Sequence, residues 1–429
     1  MKAILINCLL LLIYCAAFTQ ENTISGTITD ENHKPISGAS VFFSNSSTGM
    51  VTGSNGQFAF ARMAPGKYDL VVSYIGYETF VRTVNTADNN ANLKISLTPK
   101  ANELQEVVLE PFEKNGWDKW GKFFMENFIG TTEYAEDCVI KNKEVIRFRN
   151  SKKENRLTAI AMEPLIIENK SMGYNIKYQL EEFSYNFKTR YVLYTGYPLF
   201  QEMKGRKGQV KRWEKNRADA YNGSIMHFMR ALYRNRLVEE NFRVYHLKRV
   251  ENAEKIRVKD AYRKLSQARA QMEATKKGNF FIAQDKTLSL RDAAIGNGNN
   301  SDKSIKDSTE YYERIMKQPD AYDLLDTNLL RGDSIAYGLD SNRAGLEFKN
   351  YLQIVYTKKI ESPLYLRQTM RGNERPGYTT SQITLLSEPV VEVYSNGVYY
   401  NPVNIINSGY WGWSEKIASM IPFNYKPPM

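Results

Sequence analysis

Apolar and polar residues alternate along much of this chain with a period of two. Ile24, Thr27 and Ile28 lead to a loop at Pro35, and Val41, Phe42 and Phe43 follow. Gly53 to Gly56 make a turn signal, after which Phe58 and Phe60 recur two apart. Beyond Pro65-Gly66, the residues Tyr68, Leu70, Val72 and Tyr74 alternate again, and Leu93, Ile95 and Leu97 close the series. Short strands at intervals of roughly 8–12 residues, parted by Gly, Pro and Asn, predict a sandwich or barrel.

The pattern changes after Pro99. Leu104 to Leu109 reads as a short extended segment before Pro111, serving as a linker or as a strand offered to a partner. Trp117, Trp120, Phe124 and Phe128 then recur at spacings of three and four, predicting a helix over 115–129 with Asn115 at its cap. Strands are predicted at EVIRFR, RLTAIAM and PLIIEN, and at Tyr174 to Leu180, with Phe183, Tyr185 and Phe187 keeping the same period. Tyr221, Ile225, Phe228 and Leu232 return to helical spacing inside 209–237, where Asn222-Gly223-Ser224 is a break or kink. Strands resume at Tyr351 to Lys358 and Ser381 to Leu386, and Asn396-Gly397 between two apolar runs is the strongest hairpin signal. The expected fold class is therefore mainly β: an N-terminal sandwich, then an α+β region of antiparallel sheet with covering helices. The expected divisions are 1–19, 20–99, 100–111, 112–250, 251–310 and 311–429, with a flexible loop around 293–307.

Several fixed spacings in the first region carry a resemblance. They are Gly26-x-Ile28-x-Asp30 with Pro35-Ile36-Ser37-Gly38-Ala39, then Gly56-x-Phe58-x-Phe60, Pro65-Gly66-x-Tyr68-x-Leu70, and Ser73-Tyr74-Ile75-Gly76-Tyr77. Together they resemble the carboxypeptidase regulatory-like domain, a transthyretin-like sandwich of seven-stranded type found in exported proteins of Bacteroidota. Gly53-Ser54-Asn55-Gly56 departs from the family's usual Thr-Asp tip, but Asn also tolerates a left-handed turn. The phrases NGWDKWGKFF, PLIIENKSMGY and AYNGSIMHF resemble a region that accompanies this sandwich without an assigned activity.

The family name does not bring a peptidase with it. A catalytic zinc needs about three protein ligands, in these peptidases a His-x-x-Glu pair and a distant His. The chain has three histidines, and none of His33, His227 and His246 begins such a pair. No catalytic residue, metal ligand or cofactor is expected. Lys2 and the apolar run to Ala17 have the length of a signal peptide, with cleavage expected before Gln20 and a lipoprotein signal at Cys15 as the rival. Removing that segment leaves Cys138 as the remaining thiol, expected to be buried and inert. No later stretch reaches the roughly 18 apolar residues of a membrane helix.

Charge and aromatic content add two candidate surfaces. Between Lys204 and Lys277 there are 21 Lys or Arg against 8 Asp or Glu, a surplus larger than the net +11 of the whole chain. Val258, Ala261, Leu265, Ala268 and Met272 make one stretch of this a basic amphipathic helix. Its Lys255, Arg257, Lys259, Arg263, Lys264 and Arg269 are candidates for an anionic lipid or lipopolysaccharide surface, and also read as a solvated face. Nucleic acid is not expected, because no groove-reading or stacking motif accompanies the charge. Tyr399, Tyr400, Tyr410, Trp411 and Trp413 crowd together near the end and read either as a core cluster or as a platform for sugar rings. Hydrolysis by the adjacent Glu181 and Glu182 is disfavoured, since neighbours on a strand point to opposite faces. The expectation is a non-enzymatic, exported envelope protein that binds or scaffolds a partner at the outer membrane, with glycan binding or processing as the alternative.

Overall fold

The computed structural model describes residues 23–61, 66–86, 88, 92–100, 111–276 and 309–428. The expected signal peptide, Pro65, the segment Leu104 to Leu109 and the loop around 293–307 lie outside the described residues. The chain divides into two compact units, one of residues 1–244, 329–349 and 353–429, the other of residues 245–328 and 350–352.

The first unit opens with the sandwich. Strands β1 (Ile24–Thr29), β2 (Ser40–Phe43), β3 (Gly49–Val51), β4 (Gln57–Phe60), β5 (Lys67–Ser73), β6 (Phe80–Asn85) and β7 (Leu93–Ser96) form two sheets, ordered β4-β1-β7 and β3-β2-β5-β6. β1 pairs antiparallel with β4 and parallel with β7. The alternating residues face inward as predicted: Ile28, Val41, Phe43, Phe58, Leu70, Val72 and Ile95 share one core. Tyr74 does not continue β5, which ends at Ser73, and its ring is exposed.

The four-stranded sheet is buried on both faces at β2 and β5. Phe42 lies between inward-facing Val41 and Phe43, and Val71 between Leu70 and Val72, yet both are buried. They pack against Leu199, whose strand belongs to a second sheet built from β8 (Cys138–Ile140), β9 (Ile146–Ser151), β10 (Arg156–Ala161), β11 (Leu165–Asn169), β12 (Tyr174–Asn186) and β13 (Tyr191–Glu202). Its order is β8-β11-β12-β10-β9, with β13 along the other edge of β12, all antiparallel. The other face of this sheet is covered by α1 (Gly116–Phe128), whose Phe124 and Phe128 stack at 4.9 Å and meet Phe148, Phe183 and Tyr178 edge-on. Asn115 sits at the start of α1 without donating or accepting a side-chain cap bond.

The helix expected over 209–237 breaks where Asn222-Gly223-Ser224 signals it. α2 (Lys207–Tyr221) ends, Gly223 takes φ +79°, and Ser224 caps α3 (Ile225–Tyr233) by accepting the His227 N–H. β14 (Phe242–Glu251) starts in the first unit and ends in the second. There α4 (Ala253–Lys276) packs Val258 and Ala261 against Tyr312 and Ile315 of α5 (Thr309–Met316), and β15 (Ala321–Leu330) follows. Back in the first unit, β16 (Ala336–Gly338), β17 (Arg343–Glu347), β20 (Val390–Tyr394) and β21 (Tyr399–Tyr400) form a sheet in that order. Another carries β14, β18 (Tyr351–Ile360), β19 (Tyr378–Leu385) and β22 (Ile405–Gly409). Helices α6 (Pro363–Gln368) and α7 (Tyr410–Ser414) complete the unit.

The hairpin at Asn396-Gly397 differs from a two-residue turn. The Gly397 N–H donates to the Tyr394 carbonyl, the Tyr394 N–H donates to the Val398 carbonyl, and only Gly397 takes positive φ, +85°. This is a three-residue loop in which glycine forms the left-handed bulge.

Candidate functional site: a tyrosine-lined cavity

The C-terminal aromatics separate into two groups. Trp411 is 2% exposed; its Nε1 donates to the Gly223 carbonyl at 2.7 Å and its ring packs on Phe228. Tyr410 is also buried, at 5.1 Å from Tyr365. Of the two readings, these two rings take the core one and are corrected as sugar-binding candidates, because a core position leaves no open face for a ligand to stack on. Tyr399, Tyr400 and Trp413 are half-buried and line a cavity of about 820 Å³.

This cavity follows β13. All residues from Arg190 to Pro198 line it, a run of roughly 26 Å at about 3.3 Å per residue. Gly196 is required there: a Cβ would lie 2.3 Å from the Gln179 carbonyl oxygen and 2.5 Å from the Tyr178 ring. Register also shifts between Leu180 and Glu182 on the neighbouring strand, which places Glu181 at a bulge. The opposite walls come from sandwich residues Ser44, Asn45 and Asp69 and from the C-terminal stretch Ser419 to Phe423.

Main-chain bonds hold these walls together. The Asn45 N–H donates to the Pro198 carbonyl at 2.7 Å, the Phe200 N–H to Ser46 at 2.9 Å, and the Phe423 N–H to Asn45 at 2.7 Å. Ser46 thus pairs in parallel with Leu199, a single bridge on the outer edge of β13. Side chains reinforce the seam: Tyr400 Oη donates to Asp69 at 3.2 Å, and Lys67 Nζ lies 3.4 Å from Glu392 and 4.1 Å from the Tyr400 ring centroid. Arg230 donates to the carbonyls of Asn396, Phe423 and Tyr425, fixing the C-terminal stretch.

The ionisable groups of the cavity depart from their usual ranges. Burial pushes the Glu415 carboxyl up to about 7, although its Oε1 accepts the Ile225 N–H and Lys359 lies near. Burial alone lowers the Lys416 ammonium to about 8. Glu415 and Trp413 also border a smaller cavity of about 400 Å³, with Lys359, whose ammonium burial lowers and whose Nζ donates to the Asp219 carbonyl at 2.7 Å. Desolvation raises the phenols of Tyr194 and Tyr399, so they serve as neutral hydroxyls. The arrangement offers aromatic faces, hydroxyls and two charge-shifted groups to a bound molecule.

Groups with the potential for covalent chemistry sit elsewhere. Cys138 is in the core beneath α1, and burial pushes its thiol up to about 12. His227 is buried and stacked on Tyr221; its Nδ1 accepts the Gly223 N–H, its Nε2 meets Glu240 at 3.0 Å, and burial lowers its pKa. Among the described residues there is no group of three or more His, Cys, Asp or Glu placed to hold a metal ion.

A family model, described as the CarboxypepD_reg-like domain, matches residues 24–109. Residues 24–109 are a CarboxypepD_reg-like domain. No curated protein matches the chain. The cavity residues Ser44, Asn45 and Asp69 belong to the CarboxypepD_reg-like domain, whose outer face, Phe42 and Val71, is covered by β13.

In the second unit, most of the candidate anionic-surface cations are already paired. Lys255 and Lys259 both meet Asp320, at 3.0 and 2.7 Å, Arg257 meets Glu254 at 2.8 Å, and Arg263 meets Asp260 at 3.0 Å. Lys255 is also buried and donates to the Gln318 carbonyl. Burial takes Lys255 out of the candidate surface, while Arg257, Lys259 and Arg263 remain exposed beside their carboxylate partners. Lys264 is exposed, and the side chains of Arg269 and Met272 lie outside the described residues. No described helix is long and apolar enough to cross a membrane.

Proposed function

We propose that the protein is a non-enzymatic, exported binding protein of the cell envelope, and that its ligand is a glycan segment held in the cavity along β13. The observation that carries this reading is the elongated cavity itself, with Tyr194, Tyr399, Tyr400 and Trp413 on its walls. Its volume is in the range of ligand sites, roughly 300–1,000 Å³. Aromatic rings supply faces for the apolar sides of sugars, and neutral phenols supply hydrogen bonds. Export is supported by the apolar run from Ala3 to Ala17 behind Lys2.

A glycan array followed by calorimetry tests the reading. At least one oligosaccharide binds the intact protein, and Tyr399→Ala and Trp413→Ala each weaken it roughly tenfold while circular dichroism stays unchanged. Absence of any bound glycan, or full affinity in both folded variants, discards the assignment.

Partner scaffolding is the second reading, favoured by β15. This strand ends its sheet, and Tyr322, Leu324 and Leu325 are exposed along it. A long apolar edge strand is a template for an added strand. Double replacement of Leu324 and Leu325 by lysine abolishes association with an envelope partner under this reading; unchanged association rejects it.

A further inference from the structure

Several cations with restricted access to solvent in the first unit are paired through their charged groups. Arg217 pairs with Glu202 at 2.9 Å and donates to the Met172 and Gly173 carbonyls; Arg371 pairs with Glu361 at 2.9 Å; Arg230 has three carbonyls; Lys359 has the Asp219 carbonyl. Lys416 has none of these: among the described residues no carboxylate or carbonyl oxygen reaches its Nζ. Its neighbour Glu415 does not serve, because that carboxyl is taken by the Ile225 N–H and interacts with Lys359.

The side chain is nevertheless held in place. Gly130 makes room for its stem, since a Cβ there would lie 2.7 Å from the Lys416 Cβ, and the following Ala418 N–H donates to the Ile129 carbonyl at 3.0 Å. The Nζ lies 5.4 Å from the centroid of the Tyr194 ring, one of the cavity's aromatic walls. A cation without a counter-ion in a desolvated recess is costly, and burial accordingly holds its ammonium down to about 8. An anion brought by the ligand supplies the missing partner at a fixed position beside the rings.

Resting on the glycan reading, we propose that Lys416 is the anion-recognition point of the cavity and that the bound glycan carries an acidic sugar residue, its charge at Lys416 and its ring faces toward Tyr399 and Trp413. A lysine acts as a compact point charge without the planar fork that selects a carboxylate, so carboxylate and sulfate share this chemistry.

Calorimetry with three probes tests the proposal: trigalacturonate, its methyl ester, and a sulfated galactose trimer. At least one charged probe binds ten or more times tighter than the neutral ester. Lys416→Met erases that preference while keeping the ester's affinity, and Lys416→Arg retains it. The preference of the wild type fades as pH rises above about 8, where the amine loses its proton. Lys416→Met also melts at a higher temperature than the wild type without ligand, an outcome opposite to loss of a structural contact. Equal binding of charged and neutral probes, or a preference that survives in Lys416→Met, overturns the acidic-sugar assignment alone. Failure of all three probes while another oligosaccharide binds on the array overturns the acidic-sugar assignment alone; failure of the three with an empty array overturns the glycan reading as well.

Discussion

Two adjacent residues, Glu415 and Lys416, are driven in opposite directions by the same burial. The Glu415 carboxyl titrates near 7 in the folded protein, above its unfolded value, so the folded state binds its proton more tightly. Its contribution to stability is fully present below about pH 4.3 and is lost as pH rises through 7. Urea melts between pH 4 and 8 therefore show a decline that flattens in Glu415→Gln, and an identical slope in the variant contradicts this origin. Cys138 gives a second residue-level expectation. With its thiol near 12, almost no thiolate exists at pH 8, so a disulfide reagent labels the native protein negligibly and labels it fully in denaturant. Rapid labelling of the folded chain means that the thiol is open to solvent. The inert, buried cysteine was legible in the sequence from its distance from any histidine, whereas the isolation of Lys416 was not. That isolation depends on which carboxylates other parts of the chain bring near.

Strands and turns show the same division between local and assembled information. The sandwich strands were legible because inward and outward residues alternate; the both-sided burial of β2 and β5 was also written there, in the outward-facing Phe42 and Val71. Those residues have no reason to be apolar on a solvated face, but the surface that covers them comes from β13, which the period did not reveal. In Tyr191 to Glu202 the alternation is interrupted by Thr195-Gly196 and Pro198, all features of an edge strand bent around a cavity. Truncating Phe42 to alanine removes its packing on Leu199 and costs about 3–5 kcal/mol in urea melts. A cost near zero means that the sheet's outer face is not held there. At the 395–397 loop, a Cβ on Gly397 would lie 2.9 Å from the Met226 carbonyl oxygen at a left-handed φ. Gly397→Ala destabilises by roughly 1–3 kcal/mol, from backbone strain and the close approach together. The C-terminal aromatics stayed open between two readings because clustering in sequence does not distinguish a core from a face; Trp411 went inside, where Gly223 offers its indole a carbonyl partner.

Across the molecule, sequence-distant segments meet at the cavity. Arg230 holds the last described residues through Phe423 and Tyr425, and Asn424 Nδ2 donates to Ser47 in the CarboxypepD_reg-like domain. Substituting Arg230 by methionine leaves those carbonyls without their donor and lowers stability by about 3 kcal/mol. Limited proteolysis then releases the C-terminal residues before the rest of the chain opens; simultaneous loss of all regions argues against a local clamp. The pairing of Asn45 and Ser46 with β13 has a further consequence, which concerns how the chain reaches this state. The N-terminal sandwich is synthesised before β13, so the partners of Pro198 and Phe200 are made before the strand that needs them. Expressed without its first 111 residues, the remainder leaves the Pro198 carbonyl and the Phe200 N–H without these partners and uncovers Leu199 beside them, and size-exclusion chromatography then shows more self-association than the full chain does.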